Sequence, residues 1–291
     1  MHAAEATIVE VTAAYIETKS DVLSPSTLRD YGLTQRRLLE YFGEERKFGA
    51  IKPEEIRAFI RTIPGGKKNK SNAHTALGAL WTFAMQRGYA RQHIPRQVEI
   101  AKPTRRTIIP FSAPEIDRML DATRESLHPR RDAAIIKVLL DTGIRASELG
   151  NLEIGDMEGD FLRILGKGDK ERTVPISALA MKSIVDYLSV SQARKRTAPL
   201  FTTDAGNPLD RHSLRLMIYR IGNRSGVKAH PHKFRHTFAI NYLLNGGDAY
   251  TLQQILGHSS MDMVKRYLHI ANADLKRVHQ RASPLTNLYR K

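Results

Sequence analysis

The chain has 291 residues, 41% of them hydrophobic and none of them cysteine, which is enough for about two packed domains and leaves no thiol or disulfide chemistry. The polar start MHAAEATIVE and the lack of any apolar run near the ~18 residues a bilayer span needs argue against a signal peptide or membrane span, and for a cytoplasmic protein. Lysine and arginine number 46 against 30 acidic residues, and both halves of the resulting +16 chain are basic, which suits two modules gripping one polyanion, nucleic acid first.

The first segment is predicted helical. Ser26 is placed to cap a helix carrying Leu28, Tyr31, Leu38 and Phe42, and Ser71 to cap another with Leu77, Leu80, Trp81 and Ala84 at i, i+3, i+4, i+7. Between them Gly65-Gly66 and Lys67, Lys68 and Lys70 read as a basic loop feeding a helix N-terminus, suited to a DNA phosphate and equally to a plain solvated loop. From Val98 to Phe111 two prolines and three basic residues, Arg105 and Arg106 among them, break the pattern. Residues 101–111 are therefore read as a linker, with a helical DNA-binding domain over 1–100 and a second domain over 112–291; Arg105 and Arg106 join the lysines as candidate DNA contacts.

Ser112-x-x-Glu115 is a capping box that opens the second domain. The apolar run Ala133 to Asp141 predicts a buried helix stopped by Gly143, with Arg145 just past the stop. FLRIL-GKGDKE-RTVPI predicts a hairpin with Lys167 at or near its tip. Two helices follow, carrying Met181, Ile184, Val185 and Leu188, then Leu214, Met217, Ile218 and Ile221. The fold class is mainly α with one small β-sheet.

HPHKFRHTFAINYLLNGG puts His232 and Arg235 three apart on one helix face, with Phe234 and Phe238 directed inward. In TLQQILG the final Gly257 is a C-cap that leaves His258 in the following turn. SSMDMVKRYLHI restarts a helix, with Ser259 as a cap and Tyr267 in the second or third turn. Each of these residues alone has an ordinary structural role. His230, His232, His236 and His258 have no carboxylate or cysteine among them at a ligand spacing, so no metal site is expected.

TGIRASELGNL, GKGDKERTVPI, HPHKFRHTFA, LGHSS and a tyrosine nine residues after His258 resemble, in order, the pattern of the tyrosine recombinase (phage integrase) family, in layout nearest its Xer-type members. The 23 residues from Arg235 to His258 fit as well, and NGGDAYTLQQ is similar to the family's G-x-D-x-x-x-x-Q stretch. SNAHTALGALWTFAMQRGYA resembles the core-binding domain, so the likeness spans nearly the whole chain, more loosely before Arg105. Two departures stand out. No arm-binding domain of the lambda-type integrases is expected, and Val264 occupies the position of a frequent threonine.

The resemblance implies an N-terminal SAM-like core-binding domain and a C-terminal tyrosine-recombinase catalytic domain, acting without metal, ATP or other cofactor. DNA strands would be cut and rejoined through a covalent 3′-phosphotyrosine and a Holliday junction. Tyr267 would be the nucleophile, with Arg145 and Arg235 on the non-bridging oxygens. Lys167, or its neighbour Lys170, would protonate the leaving 5′-oxygen. His232 would take or return the tyrosine proton, and His258 would donate a hydrogen bond to the phosphate. Glu148 would orient Arg145 or His232, its alternative being a plain i,i+3 salt bridge. The partners implied are double-stranded recombination sites and, on synapsis, a homotetramer of chains that are monomeric when free. The tail ADLKRVHQRASPLTNLYRK reads as a basic helix to Pro284 and an apolar end that docks on a neighbouring subunit. The rival readings are a type IB topoisomerase, a non-catalytic DNA-binding protein and a metal-dependent histidine nuclease.

Overall fold

The computed structural model describes residues 5–103, 107–166, 170–191, 195–258, 260–271, 279 and 283–288, and the chain divides into two units, Met1–Arg106 and Thr107–Lys291. Lys167, Arg105, Arg106 and Ser259 lie outside the described residues, as does most of the expected tail helix. No helix among the described residues is long and apolar enough to cross a membrane.

In the first unit, α1 (Ile8–Lys19) opens with a capping box, Thr7 Oγ1 accepting from the Glu10 N–H while Glu10 accepts from the Thr7 N–H. α2 (Pro25–Phe42) starts two residues before the Ser26 expectation. Ser24 Oγ accepts from the Thr27 N–H, and Pro25 takes N1, where its fixed φ suits a helix and its missing N–H is no loss. After α3 (Pro53–Thr62) comes α4 (Lys67–Gln86), capped by Gly66 and not by Ser71. Lys67, Lys68 and Lys70 therefore lie in the first turn of a helix and not in a loop. Cations there oppose the helix dipole. The helix is held instead by its buried stripe of Ala73, Leu77, Leu80, Trp81 and Ala84, with the Trp81 and Phe48 rings 4.4 Å apart at the centre of this unit's core.

The second unit begins with α5 (Ala113–Thr123), whose Ser112/Glu115 capping box forms as expected. α6 (Pro129–Thr142) ends at Gly143 in the left-handed conformation, φ 62°, and the short α7 (Ala146–Gly150) follows. Strands β1 (Met157–Glu158), β2 (Phe161–Leu165) and β3 (Glu171–Pro175) form an antiparallel sheet in sequence order, with Leu162 facing Val174 and Ile164 facing Arg172. On α8 (Ala178–Leu188) the buried face is Ala180, Ser183, Ile184 and Tyr187, and Val185 is exposed; the helix is turned relative to the apolar stripe expected from periodicity. α9 (Arg211–Ser225) buries Leu214, Met217, Ile218 and Ile221 as expected.

Three helices close the unit: α10 (Pro231–Leu244), α11 (Ala249–Leu256) and α12 (Asp262–Ala271). α10 packs on α6, α11 and α12, while β3 packs on α11, so the sheet, the α6 terminus and the last helices meet around one point. A short α13 (Pro284–Leu288) exposes Leu285 and Leu288 by 70% and 75%.

Gly143 is a tight point of this assembly. A Cβ there would sit 2.4 Å from Phe238 and 2.9 Å from Leu256, in a conformation that L residues avoid. Gly143→Ala is expected to destabilise the fold by on the order of 3 kcal/mol, read as a lowered urea midpoint with unchanged m-value.

Candidate active site

Arg145 is the N-cap of α7, and Glu148, at the third position of that helix, turns back toward it. The Glu148 carboxylate accepts from the Arg145 backbone N–H at 2.8 Å and from Arg145 Nη1 at 2.7 Å. Its other partner comes from the sheet: Arg172 on β3 donates from Nη1 at 3.0 Å and Nη2 at 2.8 Å, while its Nε donates to the Ile255 carbonyl at 2.8 Å. Burial raises the Glu148 carboxyl, but the hydrogen bonds from Arg172 and Arg145 outweigh it and hold it at about 2. Glu148 thus pairs with Arg145 at i, i+3 and is bridged to Arg172 as well.

Arg235 projects from α10 and is 5% exposed. Its Nη1 donates to the Gly143 carbonyl at 2.9 Å and its Nη2 to the Leu256 carbonyl at 2.7 Å, so one guanidinium satisfies the ends of two helices, α6 and α11. Burial, then the Arg145 charge, lowers its pKa to about 10, which leaves it cationic at neutral pH. Arg145 Nη2 reaches the Gly257 carbonyl, 3.4 Å away. One carboxylate against three guanidinium groups leaves the centre positive, as an anion-binding site requires.

His258 follows the left-handed cap Gly257, φ 63°, and its Nδ1 is buried with no hydrogen-bond partner among the described residues. Burial, then the charges of Arg235, Arg145 and Arg172, push its imidazole down to about 4. His232 sits exposed one turn before His236 on α10; desolvation and the charges of Arg211, Arg235 and Arg145 lower its pKa. Tyr267, in the second turn of α12, is 1% exposed and packs with Ala239, Leu252 and Val264. Burial raises its phenol pKa, partly opposed by the Arg235 and Arg266 charges. Its hydroxyl lies 2.9 Å from Nδ1 of His236, not from His232.

These burials set an acid limit on stability. Depressed folded-state values for His236 and His258, each about 4 against 6.5, mean the unfolded chain binds more protons between those values, so stability is whole above 6.5 and falls as pH drops toward 4. Tm is expected to decline from pH 7 to 4.5, and a His236→Asn, His258→Asn double variant is expected to show a flatter decline by calorimetry.

The comparisons with known proteins fit this geometry. The sequence profile of the phage integrase family matches residues 111–274. Tyrosine recombinase XerC of Pelobacter propionicus is 31% identical over 285 residues, covering 93% of each chain. The chain belongs to the phage integrase family. Among solved structures, the XerH site-specific recombinase bound to difH substrate in a pre-cleavage complex superposes with TM-score 0.73 at 21% identity, covering 96% of each chain. The Tn1549 transposon integrase with a circular intermediate DNA superposes with TM-score 0.79 at 18% identity, covering 94% of this chain and 99% of that one.

In this phage integrase chain, Arg145 with Glu148, Arg235, His258 and Tyr267 gather from four separate stretches, with His232 on the rim. Lys67, Lys68 and Lys70 belong to the first unit. Two residues at the centre were given no part in the chemistry from the sequence: Arg172, and His236, which was weighed there only among the histidines for a metal site. For Arg172 a signal existed: it shares a strand face with the buried Val174, and a charge on an inward-facing position of a strand calls for a buried partner.

Proposed function

We propose that the protein is a site-specific DNA recombinase that cuts and rejoins duplex strands through a 3′-phosphotyrosine at Tyr267. The observation that carries this reading is a buried phenol under the charge of Arg235, in a site where Arg145, Arg172 and Arg235 outnumber the single carboxylate of Glu148. Planar, permanently charged forks suit the dianionic transition state of phosphoryl transfer. Arg145 and Arg235 take the non-bridging oxygens, and His258 donates to the same phosphate. His232 exchanges the tyrosine proton. Lys167, or its neighbour Lys170, protonates the leaving 5′-oxygen, which departs as the 5′-hydroxyl. Relatives named tyrosine recombinase, and neighbours solved with difH substrate and with circular intermediate DNA, support DNA as the substrate.

The working assembly in this reading is a homotetramer on two duplex sites, with a cytoplasmic location and free chains as monomers. The exposed Leu285 and Leu288 on α13 support docking of the tail on a neighbouring subunit. A protein ending at Ser283 is expected to bind one site normally and to lose synapsis in a gel-shift assay; unchanged recombination would count against the docking.

The decisive experiment is to recover and sequence DNA covalently attached to the protein in vivo, then to assay the recovered site on plasmids in EDTA. Adduct at Tyr267 and exchanged flanks are expected. Relaxed circles without exchange would indicate a topoisomerase, and loss of cleavage in EDTA a metal-dependent nuclease.

A further inference from the structure

Tyr267 is the best-buried polar group of its cluster, and a phenol that keeps its proton needs an acceptor in the same place. His236 is that acceptor: its Nδ1 is 2.9 Å from the hydroxyl, with ring centroids 5.7 Å apart. No other hydrogen bond reaches the Tyr267 hydroxyl among the described residues. With the phenol as the donor, His236 takes the tautomer with Nδ1 bare to accept and the proton on Nε2. His236 follows Arg235 directly and lies one turn beyond His232, whose ring centroid is 6.5 Å from its own.

We propose that His236 is a positioning residue for the nucleophile, its Nδ1 accepting the Tyr267 O–H and holding the phenolic oxygen in a fixed direction within reach of the Arg235 charge. This rests on the recombinase reading for its consequence, although not for its geometry. His236 is not the group that removes the proton. Burial first, then the charges of His232, Arg266, His230 and Arg235, hold its ring at about 4, too low to take a proton from a phenol whose own value is raised. What the contact supplies is direction. A tyrosine side chain turns about two bonds, and a misplaced nucleophile loses rate steeply even when every charge is present.

Two substitutions separate positioning from packing. Asn places an amide oxygen near the position of Nδ1, whereas Leu fills the space without an acceptor. On the duplex recovered by covalent trapping of the wild-type protein, His236→Leu is expected to form adduct about 10²-fold more slowly at saturating DNA, with affinity unchanged. His236→Asn is expected to restore most of that loss. Equal defects in both variants, or a full rate in His236→Leu, would overturn the proposal. A measurement without DNA decides the contact itself: in histidine-labelled protein, the ¹⁵N spectrum is expected to show an unprotonated Nδ1 for His236 that shifts on Tyr267→Phe. A protonated Nδ1 there, or no shift, would also overturn it. If the wild-type protein forms no adduct on any DNA, the recombinase reading falls while the nitrogen spectrum still settles the hydrogen bond.

Discussion

The Tyr267→Phe protein is expected to fold, to bind its duplex as the wild type does, and to form no covalent adduct. The substitution removes one oxygen from a side chain that is 1% exposed and keeps the ring that packs with Ala239, Leu252 and Val264. The cost to the fold is the single hydrogen bond to His236, which leaves Nδ1 unpaired, about 1 kcal/mol. The cost to chemistry is total. Among the described residues no serine or threonine hydroxyl is hydrogen-bonded to Arg145, Arg172 or Arg235, so the cations can bind and polarise a phosphate but have no other protein nucleophile to deliver. Phenol-stable attachment of labelled DNA, measured beside a gel shift, checks both halves. Adduct persisting in Tyr267→Phe would move the nucleophile elsewhere.

Glu148→Ala is expected to have the largest effect on stability of any single change at the site. Its carboxylate accepts four hydrogen bonds from two arginines, and Arg172 is only 14% exposed, so alanine leaves a nearly buried cation unpaired. Losing one partner of such a pair costs about 3–5 kcal/mol. The depressed Glu148 carboxyl gives a similar figure: about 2 against 4.5 corresponds to about 3 kcal/mol, present above pH 4.5 and lost as pH falls toward 2. Cleavage is expected to fall by about 10²-fold or more, because Arg145 loses the group that aims it. Adding Arg172→Met should recover much of the stability by removing the stranded charge, without recovering the rate. Chemical denaturation of the wild type, Glu148→Ala, Arg172→Met and the double variant measures the coupling, and additive losses would refute the bridge.

What the sequence discloses here is what is local. The Ser112 capping box, the stops at Gly143 and Gly257, and the three-residue step from His232 to Arg235 are each written within one turn of backbone, and each forms. The errors at α2 and α4 share a cause. Ser26 and Ser71 look like caps, but the helices start earlier in the chain, at Ser24 followed by Pro25, where Ser24 accepts from the Thr27 N–H, and at Gly66 after Gly65, which caps α4 with no side-chain bond. Val185 shows a different limit, since periodicity marks an apolar stripe but not which edge a neighbour covers. The Glu148–Arg172 bridge joins positions 24 residues apart, and the Tyr267–His236 bond positions 31 apart. Neither spacing carries a repeat, so tertiary packing alone decides them. Only the family pattern joined the distant arginines in advance, because it records which stretches converge.

The two carbonyls that anchor Arg235 fix more than its location. With one N–H on each terminal nitrogen already committed, the plane of the fork cannot rotate, and the three remaining donors point in directions set when α6 and α11 reach their ends. The orientational entropy of that side chain is surrendered during folding, before any DNA arrives, so nothing of it is left to subtract from phosphate affinity. A lysine in its place keeps the charge but has no second arm, and must choose between steadying a helix terminus and meeting the substrate.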